Sequence, residues 1–351
     1  MKDITILGID LAKRNFHIVG LDAEGEMILR KGLKREDLLA FCVDKIPSSA
    51  LVAMEACSGC NYWGQQFQKA GFTVRLLKPK DVKSYVGTRQ KNDLNDALAI
   101  AKAAKDKTLR EVYVRNRDEQ DIALLHKLRA NNIRTRVKKT NSLMSSLLEF
   151  GFDGGLSKTR FLNQMEDLVD QALKTGYISS FAYALLQSSL KEIQNLLEEE
   201  VRIDKIIKET NKTSPKAQIL KTIPGIGEVV SSNLSVLPME TYEEAKDFAA
   251  SLGLVPSQHT TGGKIVHGGI TKRGDRQART LLIQGARCLV MSASKMKEIK
   301  TPLMKWAYDL FKRLGFNKAS VAIANKLARI AHACITKNVP YDASKMQFIE
   351  A

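Results

Sequence analysis

The stretch ITILGID at residues 4–10 decides the fold, because it is typical of a short strand that ends on an acidic residue, Asp10. Two further strand-like runs follow at 16–21 and 27–29, and the short polar connections between the three favour antiparallel hairpins. A helix, a strand, a helix, a strand and a helix are then predicted at 35–46, 50–55, 61–70, 73–77 and 94–107. This order predicts a mixed α/β sheet with helices packed on it.

The remainder of the chain is predicted to be helical. Residues 118–212 carry almost no strand signal, and apolar residues recur there with the spacing of a coiled coil or a helical hairpin, at Leu186, Leu190, Ile193 and Leu197. The last part is again helical, interrupted by two glycine-rich passages. We therefore expect three parts, with boundaries at 1–117, 118–212 and 213–351.

The charge balance points to a polyanionic partner. The chain has 351 residues, with 55 Lys and Arg against 38 Asp and Glu, which gives a net charge of +17. No run of about 18 apolar residues is present, so a membrane-spanning helix is not expected. The N-terminus lacks a secretory pattern, and five scattered cysteines fit a reducing cytoplasm with free thiols.

Four carboxylates form the first candidate site. Asp10 and Glu55 each end a predicted strand, and Asp93 and Asp96 share one face at the start of the Ala-rich helix. Strands one and four are commonly neighbours in such a sheet, so these acids can converge at one edge. Converging carboxylates repel each other unless a cation lies between them, and Mg²⁺ with its oxygen ligands suits phosphodiester chemistry. Each acid alone could equally be a turn residue or a helix N-cap.

Two glycines in the first glycine-rich passage, Pro224 to Gly227, favour a helix-hairpin-helix turn. Gly225 and Gly227 would let backbone N–H groups approach a DNA phosphate at a helix N-terminus, without reading its sequence. A plain tight turn between helices is the alternative.

Hydroxyl groups beside basic residues mark the second glycine-rich passage. Thr260 and Thr261 precede Gly262 and Gly263, with Ser257 and His259 just upstream. The residues alone favour an anion-binding loop over a nucleophile. Its cations would be Lys272, Arg273 and Arg279.

A basic stretch without acids, predicted to be helical, is a further candidate for contact with phosphates. The residues concerned are Lys127, Arg129, Arg134 and Arg136. A solvated helix face is the alternative.

Taken together, these motifs resemble the DEDD recombinases of bacterial insertion sequences, a family that includes Piv-like DNA invertases and bridge-RNA-guided transposases. The resemblance covers nearly the whole chain. Five motifs in the family's order carry it, at residues 8–13, 54–56, 93–97, 223–227 and 253–256.

The resemblance implies a RuvC-like, RNase H-fold N-terminal domain, a coiled-coil linker used in oligomerisation and a C-terminal transposase domain. It implies that Mg²⁺ is bound by the four acids, Asp10, Glu55, Asp93 and Asp96. It also implies a tetramer whose active sites combine two subunits, and a structured guide RNA that selects target and donor DNA. We therefore expect a homo-oligomer, either a dimer or a tetramer.

The family's nucleophile is a serine directly before a glycine, and Thr261 occupies that position here. Three interpretations follow: Thr261 is the nucleophile, Thr260 or Ser257 takes its place, or strand transfer is impaired. We favour the first, although the methyl group of threonine crowds attack. Two other functions remain open, a RuvC-like metal-dependent endonuclease that uses water and a non-catalytic nucleic-acid-binding protein.

Overall fold

The computed structural model describes residues 3–86, 93–153, 158–261, 264–295 and 301–345. The chain groups into two compact units, residues 1–120 and 121–351. The three-part division expected from the sequence stays a prediction. Within the described ranges, no helix is both long and apolar enough to cross a membrane.

A five-stranded mixed sheet forms the centre of the first unit, which confirms the predicted α/β arrangement. Its strands are β1 (Ile6–Asp10), β2 (Asn15–Leu21), β3 (Met27–Lys34), β4 (Leu51–Glu55) and β5 (Thr73–Leu77). They lie in the order β3-β2-β1-β4-β5. β2 is antiparallel to β1 and β3, whereas β4 is parallel to β1 and β5. β3 extends beyond the predicted 27–29 because its basic residues lie on an edge strand, where polar side chains are tolerated.

Helices cover both faces of this sheet. They are α1 (Leu38–Lys45), α2 (Cys60–Lys69), α3 (Pro79–Val82) and α4 (Asp93–Lys105). Alternate residues of the central strands, such as Ile9 and Met54, share one buried cluster with Leu38 of α1 and Phe67 of α2. The other face packs against α4, which contacts β1, β2, β4 and β5.

Gly8 in β1 allows α4 to lie directly on the sheet. A Cβ atom at this position would come within 2.4 Å of the Ala97 carbonyl oxygen and 2.7 Å of the Ala101 Cβ. Any side chain would therefore push α4 away from β1, so a glycine is required for this close approach.

Three helices lead the second unit: α5 (Arg117–Glu149), α6 (Lys158–Lys174) and α7 (Ser180–Thr213). α5 and α7 run antiparallel, since Arg129 near the start of α5 pairs with Asp204 near the end of α7. Leu190 and Ile193 of α7 are buried in one cluster with Leu143 of α5 and Val169 of α6. The apolar seam is therefore packed inside a single chain, as in a helical hairpin.

The rest of the second unit is mostly helical, with one β-hairpin. Its elements are α8 (Pro215–Lys221), α9 (Glu228–Ser235), α10 (Ala245–Ser251), β6 (Pro256–Thr261), β7 (Lys264–Ile270), α11 (Arg276–Lys295), α12 (Pro302–Leu314) and α13 (Phe316–Thr336). Short 3₁₀ turns occur at Lys83–Tyr85, Met239–Thr241 and Ala343–Lys345. One large cluster of buried apolar residues joins the helices. The antiparallel β6–β7 hairpin replaces the loop that the sequence predicted.

Candidate active site

A single cross-strand row at the end of the sheet carries two of the predicted acids. In the parallel β1–β4 pair Ile9 lies beside Met54, so the next residues, Asp10 and Glu55, are neighbours. Both lie on the face that α4 covers, because Gly8 and Ala53, two residues earlier, pack against that helix. The prediction that these two strand ends converge is therefore confirmed.

The electrostatics of Glu55 connect this row to α4. Burial raises the pKa of the Glu55 carboxyl, and the negative charges of Asp10 and Asp96 raise it further. Asp96 lies on α4. The carboxylates of Asp10 and Asp96, on two other elements, are therefore near enough to Glu55 to raise its pKa. The backbone of Asp93 begins α4, but its side chain lies outside the described residues.

The donor chemistry of this edge fits a hard divalent cation. Partly buried carboxylates that repel each other are stabilised by a positive charge placed between them, and Mg²⁺ takes oxygen ligands. Among the described side chains, no group of three or more His, Cys, Asp or Glu stands in metal-binding geometry. Asp10, Glu55 and Asp96 are thus close enough to influence each other's charge, without forming a closed ligand set.

Residues that the sequence did not assign to this site lie next to the acids. His17 of β2 is directly opposite Asp10, and Gly32 of β3 is directly opposite His17. The pKa of the Cys57 thiol is raised by burial, by Cys60, and by the charges of Glu55 and Asp10. Counting residues back across the predicted β1–β2 hairpin would have identified His17, because a short antiparallel hairpin fixes its own register.

The predicted hydroxyl groups lie at the end of β6. Thr261 pairs with Lys264 through the backbone, and the intervening Gly262 and Gly263, like the side chain of Thr261, lie outside the described residues. Thr260 is exposed, and its Oγ1 accepts a hydrogen bond from Gln258 Nε2 at 3.3 Å.

The other two candidates of this passage lie along the same strand. Ser257 is partly buried and faces Gly268, where a Cβ atom would come within 2.5 Å of the serine Oγ. The side chain of His259 is also outside the described residues.

Two loops interlock at the base of this hairpin. The N–H of Thr271 donates to the Val255 carbonyl at 2.9 Å and the N–H of Lys272 to the Gly253 carbonyl at 3.2 Å. Gly253, with φ +69°, packs so tightly on the backbone of Arg273 that a Cβ atom would come within 2.3 Å of its oxygen. Lys272 is exposed with φ +54°, a left-handed conformation that only a firmly held loop maintains.

The predicted phosphate contacts of this loop divide into two groups. Lys272 and Arg273 are exposed. Arg279 is 8% exposed, and its Nη1 donates to the carbonyls of Leu252 at 2.7 Å and Arg273 at 2.8 Å. Because its guanidinium ties the two loops together, Arg279 has a structural role here and does not face solvent as the sequence prediction requires.

The predicted helix-hairpin-helix turn joins α8 to α9. Gly225 has φ +89°, and a Cβ atom on it would lie 3.2 Å from the Gly285 carbonyl oxygen of α11. Gly227 is the N-cap of α9 and provides no side-chain cap, while Glu228 in the first turn pairs with Lys221 at 2.5 Å. The turn is therefore tight and packed against α11, a form that both the helix-hairpin-helix prediction and a plain turn between helices allow.

The four basic residues predicted for α5 also divide. Arg129 Nε lies 2.5 Å from an Asp204 carboxylate oxygen, and Arg136 Nε lies 2.9 Å from Glu200. These two guanidinium groups hold α5 to α7, which corrects their assignment to phosphate contact. Lys127 and Arg134 are exposed.

Comparisons with known proteins show which family this chain resembles. Residues 217–301 match the family described as "Transposase IS116/IS110/IS902 family", and residues 7–152 match a DEDD transposase family described as "Transposase". The transposase of insertion element IS1111A from Coxiella burnetii is 33% identical over 97% of this chain and 92% of its own length. The transposase of IS1328 from Yersinia enterocolitica is 34% identical over 97% of this chain and 99% of its own.

A DNA-inverting relative matches more distantly. The pilin gene-inverting protein of Moraxella lacunata is 24% identical over 54% of this chain and 60% of its own length. Near-complete coverage at about one-third identity, together with both family matches, settles the assignment: the chain belongs to the IS116/IS110/IS902 family of transposases, enzymes that cleave and join DNA.

Proposed function

We propose that this protein is the transposase of an insertion sequence, and that its first unit is a RuvC-like, RNase H-fold nuclease domain. Mg²⁺ would be held by four carboxylates, those of Asp10, Glu55, Asp93 and Asp96. The observation that carries this proposal is the β1–β4 register, which makes Asp10 and Glu55 neighbours at one sheet edge. The raised pKa of Glu55, caused first by burial and then by the charges of Asp10 and Asp96, supports it. When bound there, a divalent ion would draw charge from a phosphodiester and ease attack on its phosphorus.

The proposed nucleophile is the hydroxyl of Thr261. Its Oγ would bond to phosphorus while the bond from phosphorus to one deoxyribose oxygen breaks, and that oxygen would leave with the threonine proton. A sugar hydroxyl would later attack the phosphothreonine and release Thr261. Each step exchanges one phosphorus–oxygen bond for another, so no ATP is needed. Exposed Lys272 and Arg273, at the base of the hairpin, would stabilise the phosphate charge.

The remaining contacts are proposed on charge and resemblance. Target and donor DNA would be bound through the turn at Gly225 and Gly227 and through Lys127 and Arg134 of α5. The net charge of +17 favours any nucleic acid, so it supports a structured guide RNA as well as DNA. Assembly as a dimer or tetramer, a coiled-coil role for 118–212 and a cytoplasmic location remain proposals.

The experiment that tests the nuclease site substitutes two of the acids. Asp10→Ala and Glu55→Gln are expected to abolish Mg²⁺-dependent DNA cleavage while affinity for DNA stays nearly intact, because affinity comes from Lys and Arg. Cleavage of a plasmid carrying the element's ends and binding to the same DNA would be measured side by side. Glu36→Gln and Asp44→Asn remove exposed acids of the same unit and serve as controls that should cleave normally. Normal cleavage by either active-site variant would refute the assignment.

A further inference from the structure

The edge strand β3 presents two classes of basic residue on its two faces. Arg30 and Lys34 lie on the face that carries Asp10 and Glu55, because they pair in register with Val19 and Asn15 of β2. α4 packs on β1, β2, β4 and β5, and both of these basic side chains are exposed beyond it. This face of β3 is therefore open to solvent beside the acidic row.

Gly32 lies between the two cations and has no side chain to fill the space between them. It is the cross-strand neighbour of His17, which in turn faces Asp10. A Cβ atom on Gly32 would be 3.6 Å from the Cδ2 and Nε2 atoms of His17, so the imidazole edge and the Gly32 backbone form a common floor. We call the gap between the side chains of Arg30 and Lys34, with Gly32 and His17 as its floor, the trough.

Among the residues that the structure describes, no strong ion pair neutralises the cations of the trough. Arg30 forms no ion pair within the described residues. Lys34 has one weak partner, Glu36 at 4.0 Å, and their side chains are 73% and 78% exposed. An ion pair that is so exposed contributes little, and both cations can bind another anion.

The basic residues of the opposite face are engaged differently. Lys31 Nζ lies 4.3 Å from the centre of the Phe41 ring on α1, and the Arg35 guanidinium lies 5.3 Å from a ring of Trp63 on α2. These cations pack on aromatic rings of the protein. The two faces of β3 therefore differ in function, although both carry positive charge.

We propose that the trough formed by Arg30, Gly32 and Lys34 binds the phosphate backbone of the DNA strand next to the scissile phosphate. This inference rests on the proposed function of the acidic row. The acids that would bind metal also repel a phosphate, and two cations on the same face offset that repulsion as the strand approaches. Residues 30 and 34 are about 13 Å apart along an extended strand, so they can contact phosphates on either side of Gly32.

The test compares two double variants of the full-length protein that lose the same charge. Arg30→Gln with Lys34→Gln empties the trough, whereas Lys31→Gln with Lys69→Gln removes two exposed cations from the other side of the sheet. Binding to a 30-base-pair duplex DNA of random sequence would be measured by fluorescence anisotropy in EDTA over a range of KCl concentrations. Circular dichroism would establish that all variants are folded.

We expect the trough variant to lose about 1.8 from the slope of log affinity against log salt, because each phosphate contact contributes about 0.9. If the wild type and the trough variant bind equally at 1 M salt, this difference in slope makes the variant bind roughly 60-fold more weakly than the wild type at 0.1 M salt. The control variant should keep the wild-type slope. Gly32→Ile changes no charge but fills the trough, and it should also weaken binding.

Equal slopes for the two double variants would overturn the proposal, as would a loss seen only with an RNA duplex of the same length. The two proposals fail in different ways. If Asp10→Ala is inactive while the trough variant binds and cleaves like the wild type, the trough is wrong and the nuclease site stands. If the trough variant loses binding while Asp10→Ala still cleaves, the trough stands and the acid assignment is wrong.

Discussion

Single residues show how the sheet edge concentrates charge. Asp10 and Glu55 follow parallel neighbouring strands, so the register of the backbone alone brings their carboxylates together. Asp96 adds a third charge from α4. The hydroxyl candidates belong to a different element, the β6–β7 hairpin, and substitutions there test the role proposed for Thr261.

Three substitutions at Thr261 and Thr260 test the proposed nucleophile, and their effects are expected to differ in size. Thr261→Ala is expected to abolish covalent protein–DNA adducts and strand exchange, because the nucleophile is removed. Thr261→Ser should preserve or raise both, since the hydroxyl stays while the crowding methyl group is lost. Thr260→Ala should have a milder effect. Adducts on a suicide DNA substrate would be separated by denaturing electrophoresis at a fixed salt concentration, because binding depends on salt.

Each contrary result of this series has a distinct meaning. If Thr261→Ala still forms adducts and Thr260→Ala does not, the nucleophile is one residue earlier. If both form them, Ser257 is the next candidate. If the unaltered protein cleaves DNA without any adduct, the chain is a nuclease that uses water.

The roles of several basic residues could not be predicted from sequence because their partners are remote. Arg129 and Arg136 pair with acids 75 and 64 residues away, and Arg279 donates to a carbonyl 27 residues away. A basic stretch without acids looks like a phosphate-binding surface until the facing helix is known. Asp10 and Glu55 could be predicted because a strand end is visible locally.

Among the elements, the sheet could be predicted well and the β6–β7 hairpin could not. The strands of the first unit have apolar cores that sequence patterns reveal, such as Leu51 to Glu55. β6 and β7 are largely polar and exposed, and they contain Gly268 and Gly269, so neither apolar alternation nor burial marked them as strands. Backbone pairing, together with the interlocked loops at the base, maintains this hairpin.

The contact between α5 and α9 leads to a prediction of how the stability of the fold depends on pH. His126 on α5 is 1% exposed, its Nε2 lies 2.9 Å from Ser232 Oγ, and its pKa is lowered to about 4 by burial and by the charge of Arg129. The unfolded chain would take up this proton near pH 6.5, so the folded state loses stability as the pH falls from 6.5 towards 4. The free energy of unfolding is therefore expected to fall by about 2 kcal/mol between pH 7 and pH 5.

Urea unfolding followed by circular dichroism at pH 7, 6 and 5 would measure that loss. His126→Gln should have a lower free energy of unfolding at pH 7 but a flatter dependence over this range. His267→Gln, in the exposed hairpin, should keep the wild-type dependence. A His126→Gln protein with the same pH dependence as the wild type would show that other groups dominate the titration.

At the scale of the whole molecule, the larger second unit carries most of the net positive charge. Residues 1–120 have 21 Lys and Arg against 16 Asp and Glu, a net charge of +5, whereas residues 121–351 have 34 against 22, a net charge of +12. The unit that carries the candidate metal-binding acids is thus the less positive of the two. Non-specific attraction to nucleic acid is expected to come chiefly from the second unit.

This charge makes the affinity for DNA strongly dependent on salt. If at least six phosphates are neutralised, log affinity should fall with log salt with a slope of about 5, which is on the order of a thousandfold between 50 and 200 mM KCl. Anisotropy with a random duplex would measure it. Asp10→Asn should have a similar slope, because the acids do not provide the attraction. Affinity that changes less than tenfold over this range would argue against a predominantly electrostatic interface.

The contact at Gly8 has a consequence for how this protein can change over generations. α4 rests there on the bare backbone of β1, so the spacing between the Asp10 strand and the Asp96 helix is set by main-chain atoms. Repacking of side chains elsewhere in the core can proceed without altering that spacing. Substitutions elsewhere in the core therefore leave the positions of the acids unchanged, and relatives with very different cores can retain the same arrangement of acids.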